Sequence, residues 1–312
     1  MKAVQINSYG GTEVLEVNNE APRPVLSKGQ VLVEVKAASI NPFDVKISQG
    51  YLKDMAPLVF PATLGGDFSG AITELGDEVS DFKKGDEVFG QAILLNGGSG
   101  SFAEYLASNT GNIAQKPSKA SFDEAAALAL VGASSVQALE DHIKLQKRQK
   151  ILIHGGAGGI GHIAIQVAKA LGAYVATTVS TDDVEFAKKL GADEVIDYKT
   201  EDFTLKIKEY DAVFDTVANQ ESLDKSVSVL KKGGILVSML GKPDEKLCLE
   251  QEITAISQMT NSNTEHLKKA AELVESGKVK VYIDSTFSLD QMKEAFEKQM
   301  AHPKGKVVIH IK

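Results

Sequence analysis

Three glycines at a fixed spacing form the clearest chemical signal in the sequence. Residues 156–161 match the pattern G-x-G-x-x-G; they are Gly156, Ala157, Gly158, Gly159, Ile160 and Gly161. Between a strand and a helix, such a loop lets the backbone approach a pyrophosphate, which the helix N-terminus then stabilises. Residues 151–154 form a predicted strand and residues 160–171 a predicted helix, which is the required context. We therefore predict a dinucleotide-binding loop; a glycine turn without a ligand is the less favoured alternative.

The strand predicted over residues 174–179 bears on which dinucleotide binds. NAD enzymes usually carry a carboxylate at the end of this strand, where it holds the adenosine ribose hydroxyls. Val179 occupies that position here, and the hydroxyls of Ser180 and Thr181 follow it. Hydroxyls at this point are suited to a 2′-phosphate, so the pattern favours NADP.

The NAD alternative stays open at this stage. Asp182 and Asp183 follow closely, and a shift of the strand by three residues would restore the carboxylate. Tyr198, after the next strand, is either a phenol donor to the phosphate or an ordinary loop residue. We predict NADP and keep NAD as the alternative.

Patterns of other catalytic classes are missing from the sequence. The six histidines form no close metal-ligand spacing, and Cys248 alone cannot build a cysteine zinc site. There is no Tyr-x-x-x-Lys pair, no G-x-S-x-G elbow and no P-loop. The remaining feature is a dinucleotide site without a recognisable nucleophile or metal. Hydride transfer fits such a site, because a nicotinamide cofactor carries that chemistry itself.

Two kinds of segment must position these residues. Up to about residue 120 the sequence predicts many short strands, typical of a barrel or a strongly bent sheet. A capping box, Ser121 with Glu124, then starts a helix, and strands alternate with helices as in a parallel sheet. After about residue 262 we predict a helix over 265–275, a strand over 279–283, a helix over 289–300 and a strand over 306–311.

This order predicts an α/β protein in which one domain is inserted into another. Residues 121–261 form a Rossmann domain with a doubly wound parallel sheet, and residues 1–120 with 262–312 form a β-rich catalytic domain. The C-terminal strands are expected to pair back with the N-terminal sheet.

Composition limits the partners of the chain. Its 312 residues include 34 Lys and Arg against 42 Asp and Glu, a formal charge of −8. Nucleic acids and anionic membranes bind basic protein surfaces, so neither is an expected partner of this acidic chain. The longest charge-free apolar stretch, 125–139, is shorter than the ~20 residues that span a bilayer, and the N-terminus lacks a signal-peptide core. We expect a cytoplasmic protein.

Several motifs together resemble the zinc-independent branch of the medium-chain dehydrogenase/reductase superfamily, and within it the quinone oxidoreductases and enone (alkenal) reductases. The matching segments are 37–44 with N-P-x-D, 64–70, 84–88 with G-D-x-V, 101–105, 191–193 and 305–308. The similarity covers nearly the whole chain. It implies a GroES-like catalytic domain around the Rossmann domain and, because relatives often join the edges of their cofactor-domain sheets, a homodimer.

Departures from the zinc-dependent relatives bear on the metal. Asn41 stands where those enzymes have a catalytic cysteine, and Gly66 where they have a histidine. Their four-cysteine structural lobe is absent from the sequence. We therefore expect no catalytic or structural zinc, which disfavours zinc-assisted alcohol oxidation.

The segment 41–46 reads N-P-x-D-x-K and resembles a subgroup of NADPH-dependent enone reductases with chloroplast-envelope and fruit-ripening members. In that subgroup the lysine lies near cofactor and substrate. Hydride addition to the β-carbon of an enone places negative charge on the carbonyl oxygen, which needs a donor. The resemblance implies that Lys46, helped by Asn41, is that donor, while solvent protonates the α-carbon.

Both residues also have structural interpretations. Asn41 before Pro42 is a natural helix N-cap, and Lys46 is otherwise a solvated lysine on a short helix closed by Gly50. For Asn41 the two interpretations are compatible.

The resemblance assigns further residues to NADPH. Positions that hold the cofactor in such enzymes are matched by Ser134, Ser180, Thr181, Tyr198, Gly305 and Lys306. Around the nicotinamide we also predict Val217, Met239 and Leu240, because they follow strands at the carboxyl edge of the sheet, where such folds bind ligands. Many quinone reductases carry a lysine four residues after the serine, where this chain has Val184. Core packing is the alternative interpretation of Ser134, Val217, Met239 and Leu240.

The leading function is thus NADPH-dependent hydride transfer, without metal, to quinones or to the C=C bond of α,β-unsaturated carbonyls. A metal-free alcohol or aldehyde oxidoreductase is a second hypothesis. A third is a non-catalytic NADPH-binding sensor or interaction protein on the same fold. In the leading case the partner is a small electrophile.

Overall fold

The chain folds as two units that differ in the type of β-sheet they contain. A computed structural model describes residues 1–217, 219–239 and 241–312. The first unit comprises Met1–Leu130, Ser262–Glu275 and Val281–Lys312, and the second Val131–Asn261 and Ser276–Lys280. Within the described ranges, no helix has the length and apolar character needed to cross a membrane.

The first unit is built mostly from antiparallel strands. Its strands, numbered along the chain, are β1 (Ala3–Ile6), β2 (Glu16–Asn18), β3 (Gln30–Ile40), β4 (Ala62–Thr63), β5 (Asp67–Leu75), β6 (Glu87–Gln91), β7 (Tyr105–Asn109), β8 (Ile113–Gln115), β15 (Ile283–Phe287) and β16 (Lys306–His310). Its helices are α1 (Pro42–Ser48), α8 (Thr264–Glu275) and α9 (Met292–Met300), and α2 (Phe122–Val136) begins in it. A seven-stranded sheet has the order β15-β16-β3-β5-β6-β8, with β7 also paired to β3, and a small sheet has the order β2-β1-β4.

Strand β3 organises this unit. It pairs antiparallel with β5, β7 and β16, and nearly all of its residues are buried because apolar side chains cover both faces. One cluster on β3 includes Val33 with Phe68, and another includes Ile40 with Phe296. Val307 on β16 lies opposite Ile40, which confirms the predicted return of the C-terminus to the N-terminal sheet.

The second unit contains a six-stranded parallel sheet. Its strands are β9 (Lys150–His154), β10 (Tyr174–Val179), β11 (Glu194–Asp197), β12 (Tyr210–Asp215), β13 (Leu230–Ser238) and β14 (Thr254–Ser257), in the order β11-β10-β9-β12-β13-β14. Its helices are α3 (Gly159–Ala170), α4 (Val184–Lys189), α5 (Phe203–Lys206), α6 (Gln220–Val227) and α7 (Glu245–Glu250). The strand order reverses at β9, as in a doubly wound sheet, and this confirms the predicted Rossmann architecture.

Local start and stop signals explain several element boundaries. The Ser121 N–H donates to the Glu124 carboxylate (2.9 Å) and the Glu124 N–H to the Ser121 hydroxyl (3.1 Å), so the predicted capping box is confirmed. Helix α2 then continues as a π-helix over Gln137–His142. Gly172, with φ +82°, ends α3 where the sequence predicts it.

Two elements differ from the sequence prediction. The strand predicted over 279–283 is wrong, because the strand there is β15, Ile283–Phe287. Val279 and Val281 are buried but lie outside the strands, while β15 is an edge strand in which no residue is fully buried. The apolar residues therefore favoured the wrong segment. The sequence does not predict β14, because its four residues, Thr254–Ser257, contain no apolar run of strand length. In the structure both end residues are exposed.

Candidate active site and cofactor-binding site

The glycine loop joins β9 to α3 in the second unit. Gly155 turns the chain with φ +72°, and the N–H groups of Gly155 and Gly156 both donate to the Thr178 carbonyl at 3.1 Å. Helix α3 then begins with Gly158 as its N-cap, and no side chain caps it. The predicted order of strand, loop and helix is therefore the one present.

Close approach of the backbone explains two of the motif glycines. A Cβ on Gly161 would lie 2.1 Å from the Gly155 carbonyl oxygen, and one on Gly156 would lie 2.1 Å from Thr177 Oγ1. A Cβ on Gly158 would meet only the Gly155 oxygen, at 3.4 Å. Gly156 and Gly161 are thus needed for close packing within the loop and against β10, whereas Gly158 leaves the face of the loop open.

This open loop fits the pyrophosphate of a dinucleotide. Gly158, Gly159 and Ile160 are half-exposed, while Ala157 is buried beneath them. The first-turn N–H groups of a twelve-residue helix and the positive end of its dipole attract an anion at this place. The residues of the loop therefore suit a nicotinamide dinucleotide cofactor.

The residues predicted for the adenosine end lie together, but the hydroxyls of Ser180 and Thr181 are already bonded to carboxylates. The Ser180 hydroxyl donates to Asp183 Oδ2 (2.8 Å), and the Thr181 hydroxyl donates to Asp197 Oδ2 (2.6 Å). This bond from Thr181 holds the pKa of Asp197 below its usual value. Tyr198 is exposed, and its N–H donates to the Val179 carbonyl (3.1 Å). Sequence reasoning missed Asp197, which enters the site only because β11 lies beside β10.

Three of the predicted nicotinamide residues, Ser134, Val217 and Met239, lie in the second unit. A Cβ on Gly155 would lie 2.7 Å from Val217 Cγ2, so Val217 adjoins the glycine loop. Ser134 is buried, and its hydroxyl lies 2.6 Å from the Thr260 hydroxyl. Met239 follows β13 and donates its N–H to the Asp215 carbonyl (3.0 Å). Leu240 lies outside the described residues.

Beneath the loop, His154 is buried within the second unit. Nδ1 lies 2.9 Å from the Thr178 hydroxyl and Nε2 2.9 Å from the Ser226 hydroxyl. Burial lowers the pKa of His154 to about 4, against the opposing charge of Asp215. The imidazole is thus neutral at pH 7 and serves to anchor the end of β9.

In the first unit, Asn41 is the N-cap of α1. Its N–H donates to the Asp44 carboxylate (2.7 Å), and Pro42 is the first helical residue. The side chain of Asn41 is buried, with Nδ2 donating to Asp67 Oδ2 (2.8 Å) and Oδ1 accepting from Lys306 Nζ. The helix-cap interpretation is correct, and among the described residues Asn41 Nδ2 donates only to Asp67, so its second hydrogen has no acceptor there.

Asp67 is the centre of a buried polar network. Its carboxylate accepts from Gln91 Nε2 (2.8 Å) and from the Ser39 hydroxyl (3.0 Å), in addition to Asn41. Lys306 Nζ lies 3.6 Å from Asp67 Oδ2, and both side chains are almost fully buried. A buried ion pair is tolerated only when further hydrogen bonds satisfy it, as they do here. Sequence reasoning missed Ser39, Asp67 and Gln91, although Asp67 belongs to a motif of the family.

Burial shifts the ionisation of two groups in this network. It raises the pKa of Asp44 to about 7, opposed by the hydrogen bond from the Asn41 N–H and supported by the charge of Asp67. Burial also lowers the pKa of Lys306, opposed by the charges of Asp67 and Asp44. Asp44 therefore changes charge near neutral pH.

Lys306 enters the network from the start of β16. Gly305 precedes it with φ +77°, and a Cβ there would lie 2.2 Å from the Tyr282 carbonyl oxygen. Lys306 Nζ also donates to the Ile40 carbonyl (3.0 Å). Its ammonium thus faces Asn41 and Asp67 inside the first unit, and its assignment to the cofactor stays a prediction.

Lys46 lies apart from this network. It is half-buried on α1, and its Nζ is 5.5 Å from the centre of the exposed Tyr51 ring, within cation–π range. The Tyr51 N–H donates to the Lys46 carbonyl (2.9 Å). In the part of the chain that the structure describes, the Lys46 ammonium forms no ion pair with a carboxylate.

A small apolar cavity opens beside α1. Its wall is formed by Asp44, Ile47, Leu58, Leu64, Gly65, Ile93, Leu94 and Leu95. Asp44 is the only titratable residue of this wall, and the side chains of the other lining residues are apolar. Among the described residues, no group of three or more His, Cys, Asp or Glu is arranged to hold a metal ion.

Comparisons with known proteins agree with this architecture. Residues 27–118 match the family described as "Alcohol dehydrogenase GroES-like domain", and residues 190–309 match "Zinc-binding dehydrogenase". The chain is 38% identical to the 2-methylene-furan-3-one reductase of Solanum lycopersicum, over 99% of this chain and 79% of the relative. It is 35% identical to the chloroplastic NADPH-dependent alkenal/one oxidoreductase of Arabidopsis thaliana, with the same coverage.

Solved structures show the same fold. The quinone oxidoreductase from Coxiella burnetii superposes with a TM-score of 0.88 at 34% identity, covering 100% of this chain and 99% of that one. Together with the parallel sheet of the second unit, these matches confirm the predicted fold class, including the GroES-like domain.

Proposed function

Because the chain belongs to the quinone oxidoreductase and enone reductase group of the zinc-independent medium-chain dehydrogenases/reductases, we propose that it reduces quinones or the C=C bond of α,β-unsaturated carbonyls. When bound, NADPH supplies the hydride for this reaction. The β-carbon of an enone gains that hydride, and the α-carbon gains a proton from water, so the product is the saturated carbonyl compound. A quinone that gains a hydride and a proton becomes the hydroquinone.

The open glycine loop at the carboxyl edge of a parallel sheet is the observation that carries this proposal. No side chain caps α3, so its first-turn N–H groups are available to a pyrophosphate. The protein then needs only to bind, orient and stabilise charge, because hydride chemistry belongs to the cofactor.

Lys46 is the proposed donor to the substrate. Its half-buried ammonium is not neutralised by a carboxylate of the described residues, so it is available to the oxygen that becomes negative during reduction. Asn41 holds the first turn of α1, and its remaining amide hydrogen is the group through which it would assist Lys46.

NADPH is the proposed cofactor, and NADH is the competing one. Tyr198 offers its phenol to a 2′-phosphate, and Ser180 and Thr181 offer their hydroxyls once these turn from Asp183 and Asp197. Asp183 and Asp197 oppose that phosphate by charge and favour a free ribose. The NADPH dependence named for the Arabidopsis relative supports NADPH.

A cofactor-oxidation screen tests the function. Loss of absorbance at 340 nm is followed with NADPH, and then with NADH, over quinones, alkenals, enones and simple aldehydes. We expect turnover with enones or quinones, faster with NADPH, and little with simple aldehydes. Turnover confined to aldehydes would instead support the alcohol or aldehyde oxidoreductase, and cofactor binding without any turnover would support the sensor.

A homodimer and a cytoplasmic location are further proposals. Strand β14 is one of the two edge strands of the six-stranded sheet, and such an edge suits pairing with the same edge of a second copy. Light scattering after gel filtration should then give twice the mass of 33.3 kDa. Cell fractionation tests the location, which rests on the composition of the sequence.

A further inference from the structure

One buried oxygen of the second unit lacks a hydrogen-bond partner. Gln258, which follows β14, is 3% exposed, and its Oε1 has no partner among the residues that the structure describes. A buried carboxamide oxygen without a partner is destabilising, so such an atom in a native protein needs an explanation.

The amide nitrogen of Gln258 fixes the orientation of this carboxamide. Gln258 Nε2 donates to the Ser134 carbonyl (3.0 Å) and lies 3.6 Å from the Met239 sulfur. A carbonyl can only accept, so it requires nitrogen on that side and leaves Oε1 as the free end. The backbone N–H of Gln258 donates to the Ser238 carbonyl (2.8 Å), which extends the β13–β14 ladder by one residue.

The segment that carries Gln258 is held by Ser134 and Gln137. Gln137 Nε2 donates to the Met259 carbonyl (3.1 Å), and the Asn261 N–H donates to Gln137 Oε1 (2.8 Å). The hydroxyl pair of Ser134 and Thr260, 2.6 Å apart, is a further link. Oε1 is therefore a preorganised acceptor that cannot easily turn to solvent.

The position of Gln258 indicates which hydrogen-bond donor would reach Oε1. Gln258 lies at the carboxyl edge of the parallel sheet, where doubly wound folds bind their ligands, and it contacts Ser134 and Met239. We propose that Gln258 Oε1 accepts a hydrogen bond from the carboxamide N–H of the nicotinamide ring and so orients that ring. This inference rests on the nicotinamide cofactor proposed above.

Replacing the donor on the cofactor tests the inference without changing the protein. The 3-acetylpyridine analogue of NADP⁺ carries a methyl group in place of the amide nitrogen and cannot donate. Dissociation constants of NADP⁺ and of the analogue are measured by calorimetry, without turnover. We expect the wild type to bind NADP⁺ about tenfold more tightly, because the analogue leaves the buried oxygen unpaired. A ratio near one would overturn the inference.

Two variants test whether Gln258 is the residue that distinguishes NADP⁺ from its 3-acetylpyridine analogue. Gln258→Met keeps an unbranched side chain without an acceptor, so it should weaken NADP⁺ binding and bring the ratio close to one. Gln251→Met, at an exposed glutamine of the same unit, should keep the wild-type ratio.

Two results would contradict the account in different ways. Equal weakening of both dinucleotides by Gln258→Met, with the ratio preserved, would mean that Oε1 does not receive the carboxamide. Failure of the wild type to bind either dinucleotide would overturn the cofactor proposal itself, and the inference with it. If Gln258→Met does not fold, Gln258→Asn, which keeps the carboxamide but shortens its reach by one methylene, takes its place and should likewise bring the ratio close to one; an unchanged ratio in Gln258→Asn would overturn the inference.

Discussion

The Lys306 ammonium lies 3.6 Å from the Asp67 carboxylate, and neither side chain is open to solvent. Asn41 bridges the two groups by accepting from Lys306 and donating to Asp67. The first turn of α1, which also carries Asp44, is thereby joined to β5 and β16 through a single polar network. The position of α1, and with it that of Lys46, depends on this network.

Removal of one partner of the ion pair should destabilise the protein strongly. Lys306→Met leaves the Asp67 charge buried and unpaired, which should lower the free energy of unfolding by about 3–5 kcal/mol. The double variant with Asp67→Asn removes both charges and should recover much of that loss. Urea denaturation of the wild type, the single variant and the double variant measures the effect. A double variant no more stable than Lys306→Met would contradict the pairing.

Loss of the Lys46 ammonium should affect the reaction more than cofactor binding. Lys46→Ala should reduce kcat/KM for an enone about 100-fold, because the negative oxygen loses its donor, and should change the NADPH dissociation constant less than threefold. Lys53→Ala, at an exposed lysine just beyond α1, is the matched control and should retain activity. Unchanged enone reduction in Lys46→Ala would remove Lys46 from the mechanism.

Asp44 should make stability depend on pH in the neutral range. Its pKa is about 7 in the folded protein and 3.8 in the unfolded chain, so the folded state holds an extra proton between these values. The free energy of unfolding therefore falls as pH rises from 4 to 7, by at most about 1.4 kcal/mol per pH unit, and the fall ends above pH 7.

Comparison with Asp44→Asn isolates this contribution. Unfolding free energies of both proteins are measured from pH 4 to pH 8, and their difference should decline up to pH 7. Asp54→Asn, at an exposed carboxylate, should keep the wild-type profile. A difference that does not vary with pH would show that Asp44 is ionised throughout the range.

The carboxylate beside Thr181 should limit the preference for NADPH. Asp197→Asn removes a negative charge and replaces the charged acceptor of the Thr181 hydroxyl by a weaker, neutral one, so the ratio of kcat/KM for NADPH over NADH should rise about tenfold. Glu209→Gln, an exposed change of equal charge in the same unit, should leave the ratio within twofold. A ratio unmoved by Asp197→Asn would mean that Asp197 lies away from the ribose.

Local signals explain what the sequence predicted correctly. The glycine loop needs only a strand, three glycines and a helix in succession, and the spacing of Gly156, Gly158 and Gly161 contains all of that information. The capping box of Ser121 and Glu124 is equally local. The alternation of strands and helices was sufficient for the parallel sheet.

Contacts between distant segments were beyond local reasoning. Lys306 and Asn41 are 265 positions apart, and only the pairing of β16 with β3 brings them together. Asp197 became a partner of Thr181 in the same way, through the neighbouring strands β10 and β11. The free oxygen of Gln258 could not be foreseen, because β14 itself carries no clear strand pattern.

The proposed function depends most on where the hydride goes. Incubation of the protein with an enone and NADPH deuterated at the transferable position of C4, followed by NMR of the product, locates the label. We predict deuterium on the β-carbon of a saturated ketone. Deuterium on the carbonyl carbon of an allylic alcohol would contradict the account and would instead indicate an alcohol or aldehyde oxidoreductase.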